Sequence, residues 1–218
     1  MGARSRSIAP GLDQLAVSAV RVVRSSAPRQ PRVLEIGASG VPTEQLSFEL
    51  PESTFTLVDP SEEALSDAAN HLATHLCTES APTTVVADIV EDLPEGPFDV
   101  VTSGLTVHRL PDDDKRALFE KVREVLVPDG VFVLVEEVSG PTLALDDLYH
   151  RAWLDDVRAT GTNDDVVEAA LGAMIYSHPA TVSDQLAWLK QAGFRDVDCF
   201  SKRYGYAVIG GWKEPALN

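Results

Sequence analysis

Three carboxylates stand where short apolar runs end: Glu35 inside VLEIG, Asp59 after FTLV and Asp88 after VVA. A carboxylate directly after a strand is placed to accept both hydroxyl hydrogens of a ribose, the use open to Asp59. Asp88 is placed to accept from an exocyclic amine such as that of adenine. Each also has a plainer use, since Asp59 precedes a proline turn and Asp88 can close a turn of its own. Taken as an ordered set, the three favour a nucleoside site. A further apolar run ends in Ser103 and Gly104, and His108 follows it. A histidine at the mouth of such a site is suited to taking a proton, the alternative being a solvent-facing loop residue. Asp112, Asp113 and Asp114 look like a ligand cluster, but they open a helix, where anions suit the dipole, and no metal is expected there.

These groups need strands to carry them. RVLEIG (32–37), FTLV (55–58), TTVVA (83–87), FDVVTSG (98–104) and VFVLVEEV (131–138) are short apolar runs of the kind that fill a buried parallel sheet. Helical patterns separate them: LDQLAVSAVRVVRSS (12–26) before the first, Thr43–Leu50, a stretch opened by Ser61 as N-cap, and one from Pro111 to about Val127. Pro128-Asp129-Gly130 reads as a turn. Strands alternating with helices predict a parallel sheet covered on both faces, with ligands outside the carboxyl ends of its strands. Residues 142–176 predict two helices, Ser183–Ala192 a third, and 197–201 with 206–212 an antiparallel hairpin turning at Arg203-Tyr204-Gly205. The expected organisation is one domain over 1–218, with an N-terminal helical segment (1–30) and a helical insertion (142–180) roofing the site. In that roof Tyr149, Trp153 and Tyr176 offer an aromatic wall and His150 and His178 polar groups, although Tyr149 and Trp153, at helical spacing, also suit a core.

Charge narrows the partners. The formal net charge is −16, from 18 basic and 34 acidic residues. Residues 1–32 hold six arginines and one acid, +5, so the remainder has 12 bases against 33 acids, −21. So acidic a body repels a phosphate backbone, which argues against nucleic acid and for a small-molecule substrate. The basic segment is expected on its own acidic body or on a partner subunit, and a homodimer is compatible with that. No apolar run is long enough to span a bilayer, and no secretory signal is visible, so a cytoplasmic, membrane-free setting is expected. Cys77 and Cys199 form no ligand or redox spacing and read as reduced thiols.

VLEIGASG (33–40), FTLVDPSEEAL (55–65), VVADI (85–89), FDVVTSGLTVHRL (98–110) and LVPDGVFVLVEEV (126–138), in that order, resemble the motif series of the class I S-adenosylmethionine-dependent methyltransferases. DDDKRALFEKVREVLVPDG and DQLAWLKQAGFRDVDCF are similar to a bacterial small-molecule group within it. The resemblance implies a Rossmann-like, seven-stranded sheet of order 3-2-1-4-5-7-6, its last strand antiparallel. It implies S-adenosylmethionine as cofactor. Glu35, Gly37 and Ala38 would flank its methionine part, Asp59 and Pro60 its ribose, and Asp88 and Ile89 its adenine. Ser103 would line the reaction chamber. By position, His108 beyond the fourth strand is the candidate base, and Tyr149, Trp153 and His178 in the roof are the candidate acceptor contacts.

The glycine-rich turn departs from the family. Its three alternating glycine positions read Gly37, Ser39 and Val41, with Pro42 next and Gly40 off register, and Leu12 stands where a tyrosine usually covers the cofactor. Two outcomes are open. Ser39 and Val41 crowd the cofactor, at a cost of a few kcal/mol, or Gly40 restores the turn in a shifted register. Three functions follow: methyl transfer to a small organic molecule, a non-methylating reaction on the same fold, or a cofactor-free partner subunit.

Overall fold

The computed structural model describes residues 8–76 and 81–216. Cys77, Arg4 and Arg6 lie outside them. One seven-stranded sheet organises the chain: β1 (Arg32–Ile36), β2 (Thr54–Asp59), β3 (Thr83–Val86), β4 (Phe98–Gly104), β5 (Leu126–Glu137), β6 (Arg195–Arg203) and β7 (Tyr206–Trp212). Their order is β3-β2-β1-β4-β5-β7-β6, with β7 antiparallel to both neighbours. The expected fold is the observed one. Helices α1 (Leu12–Arg24), α2 (Thr43–Glu49), α3 (Glu62–Ala73), α4 (Asp112–Val125), α5 (Leu143–Ala159), α6 (Asp164–Met174) and α7 (Val182–Gln191) complete it, with a 3₁₀ turn at Val107–Arg109.

Alternation along the central strands explains why both faces are covered. Val33, Val131, Val133 and Val135 point one way and are buried with Leu12, Leu15, Ala19, Val20 and Val23 of α1. Leu34, Ile36, Phe132 and Leu134 point the other way, onto Leu118, Phe119 and Val122 of α4 and Trp188 and Leu189 of α7. A strand with apolar residues on both faces has no solvent side, so its side chains fix the layers as well as the register.

Pairing sets the position of the site. β1 bonds β2 on one edge and β4 on the other, with Ile36 level with Val58 and Ser103. Strand order reverses between β1 and β4, and a crevice opens at their carboxyl ends.

Local chemistry matches at several ends. Ser61 caps α3, its Oγ accepting from the Ala64 N–H at 3.2 Å, and Gly193 follows α7 at φ +92°. Pro128-Asp129-Gly130 differs from expectation. β5 runs through it, Leu126 pairing with Phe98 and Val131 with Val100, so the segment is a bulge within the strand, Asp129 sitting at φ +61°. Of the basic segment, the described residues Arg24, Arg29 and Arg32 reach Glu49, Glu52 and Asp99 of the same chain at 2.5, 3.0 and 2.9 Å. No helix among the described residues is long and apolar enough to cross a membrane.

Candidate active site

The loop after β1 is built around Glu35. Its side chain is fully buried, and Oε1 accepts from the Gly40 N–H at 2.7 Å. Oε2 is buried without a hydrogen-bond partner. Burial pushes this carboxyl up to about 7, against the pull of the Gly40 amide and the Thr43 and Ser39 hydroxyls. Positive φ falls at Gly37 (+82°) and Gly40 (+78°), and neither Ser39 nor Val41 adopts it. Gly40 therefore supplies the second left-handed residue, in the shifted register. Ser39 turns inward, its Oγ accepting from the Val41 N–H at 3.1 Å.

Two close approaches hold this loop against the end of β4. A Cβ on Gly37 would lie 2.1 Å from Thr106 Oγ1, and one on Gly104 would lie 1.9 Å from the Val41 carbonyl. Asp59 joins the loop to the end of β2, since Oδ2 accepts from the Ala38 N–H at 3.0 Å and Oδ1 from the Ser61 N–H at 2.8 Å. Asp88 Oδ1 accepts from the Val90 and Glu91 N–H groups at 2.8 and 3.1 Å, so the turn use is real while the side chain stays exposed. Ile89 is buried and Pro60 exposed. Ser103 is fully buried and donates to the Ile36 carbonyl at 2.8 Å, which ties β4 to β1.

His108 sits on the 3₁₀ turn beyond β4, and its Nδ1 lies 2.5 Å from Oε1 of Glu136 on β5. Glu136 is fully buried and also accepts from the Val107 and Glu137 N–H groups, each at 2.8 Å. With Glu136 Oε1 accepting from it, the imidazole is fixed with its proton on Nδ1. Nε2 lies 3.8 Å from Glu137 Oε2. Burial opposes charging of His108, but the Glu136 and Glu137 carboxylates outweigh it and raise its pKa. Glu137 is itself raised by burial. Opposite, on β7, Tyr206 is held protonated by burial and by the Glu137 charge.

His108 and Glu137 open into a cavity of about 350 Å³ lined also by Leu105, Trp153, Met174 and Tyr206. A second, of about 340 Å³, adjoins it across Glu137, Trp153 and Tyr206 and reaches Tyr149 and His150. α5 and α6 form the roof of both.

The roof residues divide. Trp153 is buried against Val157 and Val167, donates to the Ile8 carbonyl at 2.7 Å, and lines both cavities, so it serves core and wall together. Tyr149 lines the second cavity, with Lys202 Nζ 2.9 Å from its hydroxyl. The His178 side chain is exposed and lines neither, and its backbone does the work: its N–H donates to the His108 carbonyl at 2.6 Å, and its carbonyl accepts from buried Lys115. Sequence reasoning missed Glu136, Glu137 and Tyr206. Adjacent carboxylates inside VFVLVEEV were the available signal, because charge in an otherwise apolar buried strand needs a partner.

Residues 34–132 match the family model described as a methyltransferase domain. Carboxy-S-adenosyl-L-methionine synthase of Chromohalobacter salexigens is 29% identical over 84% of this chain and 68% of its own length. That of Staphylococcus epidermidis is 24% identical over 57% of this chain, and the chain spans 55% of that relative's length. Among solved structures, magnesium protoporphyrin IX methyltransferase from Synechocystis PCC 6803, with bound SAH, shares the fold at TM-score 0.65 and 16% identity, over 98% of this chain and 89% of that one. The order of the sheet and the matched segment agree: the chain has the Rossmann-like fold seen in S-adenosylmethionine-dependent methyltransferases, and residues 34–132 are the part that matches the methyltransferase-domain model.

Proposed function

We propose that the protein transfers a methyl group from S-adenosylmethionine to a small organic molecule held under α5 and α6, with His108 as general base. The observation that carries this reading is the 2.5 Å contact between His108 Nδ1 and buried Glu136 at the mouth of a largely apolar cavity.

The residues of the crevice suit the cofactor. Glu35 keeps a buried oxygen without a partner. Asp59 and Asp88 are held rigid by backbone N–H groups, and each carboxylate oxygen retains further lone pairs for a ribose hydroxyl or an amine. Glu35, Gly37 and Ala38 would hold the methionine part, Asp59 and Pro60 the ribose, and Asp88 and Ile89 the adenine, with Ser103 behind the chamber. When bound, the cofactor supplies an electrophilic methyl group on a sulfonium. The chain's own residues then orient the acceptor and remove its proton. Trp153, Met174 and Tyr206 exclude water around it, and Tyr149 borders the adjoining space. Nε2 of His108, unprotonated while Nδ1 donates to Glu136, accepts the proton of a hydroxyl or amine. The Glu136 carboxylate stabilises the imidazolium that results, and general-base assistance of this kind is worth ~10²–10⁴-fold.

A second reading has one observation behind it. The curated relatives are named carboxy-S-adenosyl-L-methionine synthases. Here S-adenosylmethionine would be the substrate and methyl transfer would be lost.

Calorimetric titration with S-adenosylmethionine and S-adenosylhomocysteine, on wild type, Asp59→Ala and Asp88→Ala, tests the cofactor site. Micromolar binding lost in both variants is the expected result, and no binding at millimolar ligand would overturn it. Release of S-adenosylhomocysteine with panels of phenols and amines then favours methyl transfer. Consumption of the cofactor into a heavier sulfonium favours the second reading.

A further inference from the structure

Outside the crevice, the start of α2 meets the end of α3. Glu44, in the first turn of α2, faces His71, in the last turn of α3, with Oε1 and Nε2 3.1 Å apart. One turn further along both, the Phe48 ring lies against that of His75, centroids 4.3 Å apart. His75 sits in the turn that extends α3, its N–H donating to the Leu72 carbonyl at 2.9 Å. The two imidazoles, four residues apart, share one face and meet edge to face with centroids 5.2 Å apart. One ligand atom from each of Glu44, His71 and His75 lies within 4.8 Å of the others.

We propose that Glu44, His71 and His75 bind a divalent transition-metal ion of the zinc class, which clamps α2 to α3. Bonds of about 2.0–2.1 Å place two ligands of a tetrahedral ion about 3.3 Å apart, so the three donors need to close by only about 1.5 Å. His71 is about half exposed, with its side chain at 48%, so its rotamer is free to make that adjustment. Two imidazoles with one carboxylate select zinc, nickel, cobalt or copper over magnesium or calcium, which require oxygen ligands. An isolated, exposed histidine–glutamate pair contributes ~0–1 kcal/mol and needs no third donor. Here His75 supplies the third, oriented by Phe48.

The clamp acts on the crevice through the backbone. The Glu44 N–H donates to the Gly40 carbonyl at 2.8 Å, so α2 begins directly on the loop that Glu35 holds. α3 begins just after Asp59, whose carboxylate caps the turn through the Ser61 N–H. An ion between these helices therefore braces the two segments that flank β1 and β2.

The test uses the full chain without an affinity tag. Zinc affinity is read by competition with a chromophoric chelator, cobalt(II) reports geometry through its visible absorption, and melting is followed with and without zinc. Wild type is expected to bind one ion per chain and to melt higher with zinc. His71→Ala, His75→Ala and Glu44→Gln should each weaken binding by more than the ~10–100-fold typical of outer-shell partners. His150→Ala should bind as wild type does, which separates loss of ligands from loss of a histidine in general. The folding of each variant is checked by circular dichroism. Absence of a one-to-one complex at micromolar zinc, or wild-type affinity in all three ligand variants, would overturn the proposal.

Discussion

Glu136→Gln removes one charge and keeps the shape. Glu136 accepts from His108 Nδ1, the Val107 N–H and the Glu137 N–H. The amide retains one oxygen acceptor and turns two N–H bonds toward groups that themselves donate. The His108 and Glu136 side chains are 11% and 1% exposed, so solvent screens the pair little. A hydrogen bond to a charged group is worth ~1.5–3 kcal/mol, and a buried donor left unpaired costs ~1–3 kcal/mol. At about 2–4 °C per kcal/mol for a chain of this size, the variant should melt ~3–12 °C lower. The same loss of imidazolium stabilisation lowers turnover by ~10–150-fold wherever proton removal is limiting.

The pH dependence has a fixed sign. The folded pKa of His108 is raised above 6.5, so the pair's stabilisation is complete below that value and is lost as pH climbs through the folded pKa. Imidazole NMR should show His108 titrating above the ordinary histidine value of 6.5 in wild type. In Glu136→Gln, burial dominates and its titration should move below that value. An unchanged His108 titration together with an unchanged Tm would refute the ion-pair account.

Glu35 offers the opposite case. Its folded pKa of about 7 against 4.5 means the buried carboxyl prefers its proton, so the stability it contributes is present below pH 4.5 and is lost as pH rises to about 7. The difference of about 2.5 units is ~3 kcal/mol, and Glu35→Gln should abolish that slope in urea unfolding at about pH 5 and about pH 8. Equal slopes in the two proteins would reject the assignment. The glycine loop gives an internal comparison. Gly37→Ala combines a left-handed penalty of ~1–2 kcal/mol with overpacking of ~1–3 kcal/mol against Thr106. Gly40→Ala has the penalty alone, because nothing lies within 4 Å of its added Cβ. Equal losses of stability in the two would mean that Thr106 moves aside.

The sheet was legible because its strands are distinct in composition and separated by helix-length spacers. Three details follow from tertiary packing. Pro128-Asp129-Gly130 looks like a turn, but Val131 pairs with Val100 so closely after Leu126 pairs with Phe98 that the chain bulges without leaving the strand. Asp59 and Asp88 could be placed at strand ends, yet which N–H groups they would hold depends on loop paths that periodicity does not encode. His108 was visible as a polar residue beyond an apolar run. Its partner was hidden, because Glu136 is separated from it by 28 residues, and only the β4–β5 register brings them together. His178 shows the reverse: a polar side chain in the right segment, with its backbone making the contacts.

Ser139 bridges Thr181, and its N–H donates to the Ala180 carbonyl at 3.1 Å. Everything between, α5 and α6 included, therefore leaves the body of the chain and returns to it at one place. For such a loop the entropic cost of joining the ends is already met there, and lengthening it costs only ~0.6 kcal/mol per doubling. The roof is in effect a cartridge. Its helices can be recombined with those of a related chain, or redesigned for an acceptor of another shape, while the strands keep their register. Any replacement must reproduce the stretch before Ala180, where His178 hands its backbone to His108 and Lys115, and the contacts that Trp153 and Tyr149 make with Ile8 and Lys202.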